Sequence, residues 1–291
     1  MHSIGVATDS HSSITPQAAA ELGVRVLAMP FSIDGQWYYE DVTLSREAFF
    51  AHQRADADIA TSQPAPGDVT ALWDDMLKTY DEILYLPISS ALSGSCAAAM
   101  SLAGDAPYAG RVHVVDNGRV GTPLHRSILD ALDLIKAGHT ATEIKDMLER
   151  AKDDMVIYVA LQTLKYLQKG GRIGPAVAAV GTLLHVKPIL HLSTGLLESF
   201  CNCRGFAKAR HTMIETIQHN LETRFKDAYE RGDLHLMAAS SATPEETAAW
   251  IAEIKAAFPG MPVLCDDLSL GVSCHTGEGA LGIGLSCSPR G

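Results

Sequence analysis

Several protein classes are excluded by what the sequence lacks. A bilayer span needs ~20 consecutive apolar residues, and the longest candidate here, Ala176–Leu184, ends at His185. Basic residues are few: 23 Lys plus Arg stand against 34 Asp plus Glu, a formal charge of −11, and aromatics make up only 6%. Such a balance repels a phosphate backbone and offers few stacking platforms, so nucleic acid is not an expected partner. The six cysteines (96, 201, 203, 265, 274, 287) form no C-x-x-C pair and resemble neither a zinc ribbon nor a disulfide framework. Only Cys201-x-Cys203 is close in sequence; on a strand the two side chains share a face and pack there, soft-metal binding being the alternative. No G-x-x-x-x-G-K-[ST], H-E-x-x-H or G-x-S-x-G occurs, which removes the usual support for phosphoryl transfer, zinc peptidase and α/β-hydrolase chemistry. Gly277-Glu-Gly279-Ala-Leu-Gly282 matches the dinucleotide fingerprint in letters, but an apolar strand follows it where a helix is required. The opening residues Met1 to Asp9 have no basic segment, and Asp9 interrupts any apolar one, so a cytoplasmic location is expected.

What is present is ordinary globular material: 291 residues, 47% hydrophobic and 20% charged, enough for one large or two medium domains. In the first half, β-branched runs (Ile4–Ala7, Val24–Met29, Ile83–Leu86, Val112–Val115, Val156–Leu161) alternate with helical stretches, the pattern of a parallel sheet with helices on its faces. Thr15-Pro16 opens a helix that Gly23 closes, and Thr140-x-x-Glu143 is a capping box. Between the second and third runs, Asp34-Gly35 reads as a hairpin turn inside a small inserted lobe. Later the pattern changes. Gly170-Gly171-Arg172-Ile173-Gly174 leads into an apolar helix from Pro175, followed by strands near 187–192 and 196–203 and a long helix over 206–229. Further strands are expected near 234–239, 262–264 and 280–286, with Thr243-Pro244-Glu245-Glu246 starting the helix between the first two. The expected division is a parallel α/β/α domain over 1–160, its lobe at 32–59, followed by an α+β domain over 161–291.

Four polar clusters lie beside expected strands, where loops gather at a sheet edge: Thr8-Asp9-Ser10, Thr61-Ser62-Gln63-Pro64, Ser89 through Ser95, and His275-Thr276-Gly277. In the third, a strand ends at Pro87 and a helix rich in Ala and Met begins near Gly94, so Ser93 stands at a helix N-terminus. Free N–H groups, the positive end of the dipole and a hydroxyl together suit an anion; the same serines also serve as caps and turn formers.

Thr8-Asp9-Ser10, Thr61-Ser62-Gln63-Pro64, Leu92-Ser93-Gly94, Val114-Val115-Asp116, Lys169-Gly170-Gly171-Arg172-Ile173, Lys187-Pro188-Ile189-Leu190 and His275-Thr276-Gly277 together resemble the ordered signature of the DegV family, across nearly the whole chain. The resemblance implies a parallel α/β/α domain followed by an α+β domain, with a fatty acid buried between or beneath them. It implies a non-catalytic acyl-carrying subunit, without further cofactor, whose partner is a separate bacterial fatty acid kinase that makes acyl phosphate for phospholipid synthesis. It places the carboxylate contacts on Thr61 and Ser93, with His275 in their network and Asp9, Ser62, Gly94, Arg172 and Thr276 in support; Arg204 is a candidate for facing the kinase. The sequence departs from the family at Ala65 (commonly serine), at Ser95-Cys96 (often Thr-Tyr) and at Glu278 (proline); Cys96 in place of tyrosine is expected to widen the acyl cavity. Ala97–Met100, Leu102 and Ala176–Leu184 are candidates for apolar tunnel walls as well as for ordinary core. Two other functions share these residues: an esterase using Asp9, Ser93 and His275 as a triad, and a regulator whose acyl occupancy another protein senses.

Overall fold

The computed structural model describes residues 3–40, 42–172, 186–193 and 196–290. Ile173-Gly174, the helix expected from Pro175 and the run Ala176–Leu184 lie outside the described residues. The chain forms two compact units, Met1–Lys152 with Ser269–Gly271 and Pro289–Gly291, and Asp153–Leu268 with Val272–Ser288. Among the described residues no helix is long and apolar enough to cross a membrane.

The first unit holds β1 (Ile4–Asp9), β2 (Arg25–Leu27), β3 (Pro30–Ile33), β4 (Gln36–Tyr39), β5 (Ile59–Thr61), β6 (Glu82–Leu86) and β7 (Val112–Val114). Four of these make a parallel sheet in the order β2-β1-β6-β7. Strand alternation sends Val6, Leu84 and Leu86 into one apolar cluster with Leu124, Ile128, Ile144 and Leu148, from helices Thr122–Lys136 and Ala141–Arg150. Ala7, Ile83, Tyr85 and Val114 enter a second, with Trp73 and Met76 from helix Pro66–Met76 and Cys96 and Ala99 from helix Ser95–Ala103. A parallel sheet buried on both faces needs such continuous apolar runs. The caps form as the sequence indicates: Thr15 accepts from Ala18 N with Gly23 at φ 70°, and both halves of the Thr140/Glu143 box are present. Asp34 and Gly35 both have positive φ (49° and 81°), as a type I′ turn requires, and join β3 to β4. β5 pairs with the other side of β3, Thr61 opposite Phe31, to complete a three-stranded antiparallel sheet.

The second unit holds β8 (Met155–Ala160), β9 (Val186–Ser193), β10 (Leu196–Arg204), β11 (Leu234–Ser240), β12 (Val263–Asp267) and β13 (Leu281–Cys287), ordered β10-β9-β8-β13-β11-β12. Only β11 and β12 run parallel. The run expected as a fifth strand of the parallel sheet is instead β8, antiparallel between β9 and β13. A strand buried at all six positions carries no sign of its direction in its composition. One sheet face packs Val156, Tyr158, Leu236 and Ile283 with Ala209, Met213, Ile217, Trp250 and Ile254, from helices Phe206–Glu222 and Pro244–Ala257. Trp250 Nε1 donates to Gly282 O at 3.0 Å, satisfying the buried indole. On the other face, cross-strand register aligns Leu190, Val159, Gly282 and Ala239 in one row and Leu192, Ile157, Gly284 and Met237 in the next.

The helix expected over 206–229 is two, Phe206–Glu222 and Lys226–Glu230. Thr223 Oγ1 donates back to His219 O (2.7 Å), Phe225 N closes on Asn220 O (2.9 Å), and Phe225 turns into the core.

Asp130, in helix Thr122–Lys136, is buried. Its Oδ1 pairs with Arg126 Nη2 at 2.9 Å, while Oδ2 has no hydrogen-bond partner among the described residues. Burial pushes this carboxyl up to about 6 from 3.8, against the pull of Arg126 and Arg119 and with a small push from Asp133. The folded state therefore favours the protonated acid. The group stabilises the fold most below about pH 4 and progressively less up to pH 6. Asp130→Asn keeps the shape without the charge and leaves Arg126 near Asp133 (3.6 Å). Urea unfolding should show this variant more stable than the parent by roughly 2–3 kcal/mol at pH 8, with the gain vanishing below pH 4; an equal gain at both pH values rules out a titrating Asp130.

Candidate functional site

In the first unit, β1 delivers Thr8 and Asp9 to its C-terminal end. Thr8 Oγ1 donates to Leu86 O at 2.7 Å, tying β1 to β6. Asp9 is wholly buried: Oδ1 accepts from His11 N (2.9 Å) and lies 3.2 Å from His11 Nδ1, and Oδ2 accepts from Ile88 N (2.9 Å). Asp9 thus orients His11 and the start of the serine loop, and the imidazole that it meets is that of His11. The far edge of His11 rests on Gly271, where a Cβ would stand 2.7 Å from Nε2.

Beyond Ile88 the chain makes a tight turn. Ser89 N donates to Arg119 O, and Ser89 O accepts from Leu92 N (3.0 Å) and Ser93 N (3.1 Å). Half-buried Ser93 then accepts at Oγ from Ser95 N (3.2 Å) and from Ser95 Oγ (3.0 Å), just before helix Ser95–Ala103, whose N-cap is Gly94. A Cβ on Gly94 would stand 3.1 Å from Gln63 Oε1, so the Thr61-Ser62-Gln63 loop lies directly alongside. Thr61 ends β5 half-buried; Ser62 takes Pro30 O with its N–H and donates its hydroxyl to Gln63 O (3.1 Å). The structure thus places Gln63, from the loop of Thr61, beside Gly94, from the loop of Ser93, within one unit.

Two departures from the family pattern gain a physical meaning. Ala65 is the N-cap of helix Pro66–Met76 and supplies no side-chain cap, an omission worth about 1 kcal/mol. Cys96, expected to enlarge a cavity, is fully buried in the core cluster with Trp73, Tyr85 and Ala99. Burial pushes its thiol up to about 12, so it packs as a small, unreactive hydrophobe. Of the proposed tunnel residues, Ala99 and Leu102 belong to that core, while Ala97 and Met100 are exposed.

His275, Arg172, Thr276 and Arg204 lie in the second unit. His275 sits in the last turn of a helix, Leu270–Thr276, where the sequence had indicated a loop. Its imidazole lies on Gly170, the last residue of helix Lys165–Gly170: a Cβ there would be 2.1 Å from Nδ1. The contact is reciprocal, because Tyr166 from that helix lies on Gly277, 2.6 Å from its would-be Cβ. Gly171 closes the helix at φ 67°, and exposed Arg172 folds back so that Nη1 donates to Gly170 O at 2.6 Å. Thr276 is buried and donates to Val272 O (3.4 Å). Arg204 is exposed at the end of β10, an edge strand.

Sequence reasoning passed over Ser241, which clamps the glycine turn: its Oγ donates to Gly277 O (2.6 Å) and accepts from Ala280 N (2.9 Å). Gly277 and Gly279 have φ near +78°, and β13 follows them. Cys201 and Cys203 lie against the core of the second unit, and burial pushes the Cys201 thiol up to about 11. Among the described residues no group of three or more His, Cys, Asp or Glu side chains is placed to hold a metal ion.

The DegV family model matches residues 3–287. A DegV domain-containing protein of Deinococcus radiodurans is 31% identical over 284 residues, covering 97% of this chain and 98% of that one. Among solved structures, a fatty acid-binding DegV family protein from Thermus thermophilus aligns with a TM-score of 0.86 at 30% identity, covering 98% of this chain and 99% of the other. DegV of Bacillus subtilis, described as a fatty acid binding protein, aligns with a TM-score of 0.82 at 27% identity, over 99% and 100%.

The contact between Gly170 and His275 is directly testable. Gly170 has no positive φ, so Gly170→Ala meets no backbone strain and on propensity alone would stabilise the helix by up to ~1 kcal/mol. The steric conflict with the imidazole outweighs that gain, overpacking costing about 1–3 kcal/mol. The variant should melt below the parent with a displaced His275 ring resonance, and His275→Ala should restore the melting temperature in the double variant.

Proposed function

Because the chain belongs to the DegV family, we propose that it binds a long-chain fatty acid and that Thr61 and Ser93 donate hydrogen bonds to its carboxylate. The observation that carries this reading is the packing of the Thr61–Gln63 loop against Gly94, beside a serine at the head of helix Ser95–Ala103. On this reading two hydroxyls and the positive end of a nine-residue helix serve one anion, a combination suited to such a ligand. The hydrocarbon provides most of the affinity, at ~0.8 kcal/mol per buried methylene, on the order of 10 kcal/mol for a long chain before ordering costs. The hydroxyls orient the head group.

The protein on this reading turns nothing over and needs no cofactor. It presents the carboxylate to a separate cytoplasmic fatty acid kinase, where a carboxylate oxygen attacks the terminal phosphorus of ATP and ADP leaves. His275 is the third head-group contact that the sequence resemblance assigns, and exposed Arg204 remains a candidate for the kinase-facing surface.

Losing a donor to a charged acceptor costs about 1.5–3 kcal/mol, roughly ten- to a hundredfold in affinity. Thr61→Ala with Ser93→Ala should weaken fatty acid binding by at least the lower figure in a displacement titration, and parental affinity refutes the assignment. His275→Ala should retain most of the binding while sharply lowering acyl phosphate formation by the partner kinase; transfer at the parental rate would make the histidine purely architectural.

A further inference from the structure

The hydrogen bonds around Ser93 assign a role to Ser95 that the carboxylate reading, on which it rests, does not contain. A serine hydroxyl has one proton to donate and two lone pairs to accept with. Ser93 Oγ accepts from the backbone N–H of Ser95 at 3.2 Å and from the Ser95 hydroxyl at 3.0 Å. Both lone pairs are filled, and among the described residues its proton goes to no acceptor. We propose that Ser95 is a positioning and specificity residue: by filling the acceptor capacity of Ser93, it leaves that hydroxyl able to act toward a ligand only as a donor.

Three observations support the assignment. Ser95 is buried, so solvent does not compete for its hydroxyl. The Ser93 backbone is held by its N–H to Ser89 O, which limits rotation of the hydroxyl to its side-chain torsions. Packing of Gly94 against Gln63 leaves no space for a side chain between the two serines unless Gln63 moves.

The consequence is chemical discrimination. A carboxylate brings only acceptors and matches a pure donor; a long-chain alcohol brings a proton of its own, for which Ser93 has no lone pair left. A hydroxyl that accepts two hydrogen bonds is also polarised into a stronger donor, which favours the charged head group further. A site built in this way rejects an analogue through a mismatched polar group and leaves the alkyl contacts unchanged.

The experiment compares palmitic acid with 1-hexadecanol on the full-length protein, by displacement of a fluorescent fatty acid. Ser95→Ala removes one donor to Ser93 and frees one lone pair. It should lower the affinity for the acid about fivefold while leaving that for the alcohol unchanged or raised, so that the acid-to-alcohol ratio falls. Ser95→Thr keeps the hydroxyl and should restore the ratio. Should the alanine variant melt far below the parent, Ser95→Cys, whose S–H is a weak donor, takes its place with the same expectation. Equal losses for acid and alcohol, or no rescue by threonine, would show that Ser95 merely supports the helix and overturn the proposal. Failure of the parent to bind palmitic acid is a separate outcome, which refutes the carboxylate reading itself and the proposal with it.

Discussion

The buried carboxylate of Asp9 is the point from which both candidate ligand donors are placed. A buried carboxyl group is tolerated when both its oxygens are hydrogen-bonded, and Asp9 meets that condition through His11 on one oxygen and the Ile88 N–H on the other. Ile88 immediately precedes the turn that sets Ser93 by its backbone hydrogen bond to Ser89. On the other side, Ser10 accepts from Met29 N, one residue before β3, and β3 pairs with the strand that ends in Thr61. Two loops far apart in sequence are thereby referred to one strand end.

On the proposed reading, hydroxyl groups hold the anion. A guanidinium would bind a carboxylate more tightly, through bidentate charge-assisted bonds, yet Arg172 folds back on its own helix end and Arg204 stands exposed on an edge strand. On that reading, hydroxyl donors at a helix N-terminus fix orientation and quench little of the charge, so the carboxylate is held and stays nucleophilic. The formal net charge of −11 is compatible with the proposed ligand, because on that reading hydrocarbon burial, not long-range attraction, provides the affinity.

Much of this architecture can be read in the sequence wherever the information is local. Thr15-Pro16, Thr140-x-x-Glu143 and Thr243-x-x-Glu246 announce helix starts because a cap is completed within one turn, and Asp34-Gly35 announces its hairpin because both residues tolerate positive φ. Thr61 and Ser93 were legible as members of polar loops after strands. Partners distant in sequence were not. Nothing near Asp9 shows that its carboxylate serves Ile88, 79 residues away. Nor does the β8 sequence reveal an antiparallel strand. The break at Thr223 was hidden for another reason: it contains neither glycine nor proline and arises from Thr223 and Phe225 hydrogen-bonding back to the preceding turn.

The reciprocal packing of two rings on two glycines bears on how the family can vary. His275 covers Gly170 and Tyr166 covers Gly277, so the two segments interlock, each filling the space the other leaves vacant. Neither glycine can acquire a side chain while its ring stays in place, but a chain with a small residue at position 275 is released from the demand for glycine at 170. Positions 170 and 275, and separately 166 and 277, should therefore change together among related sequences. The second pair is the tighter constraint, since Gly277 also requires positive φ and stays glycine even where its aromatic partner is lost.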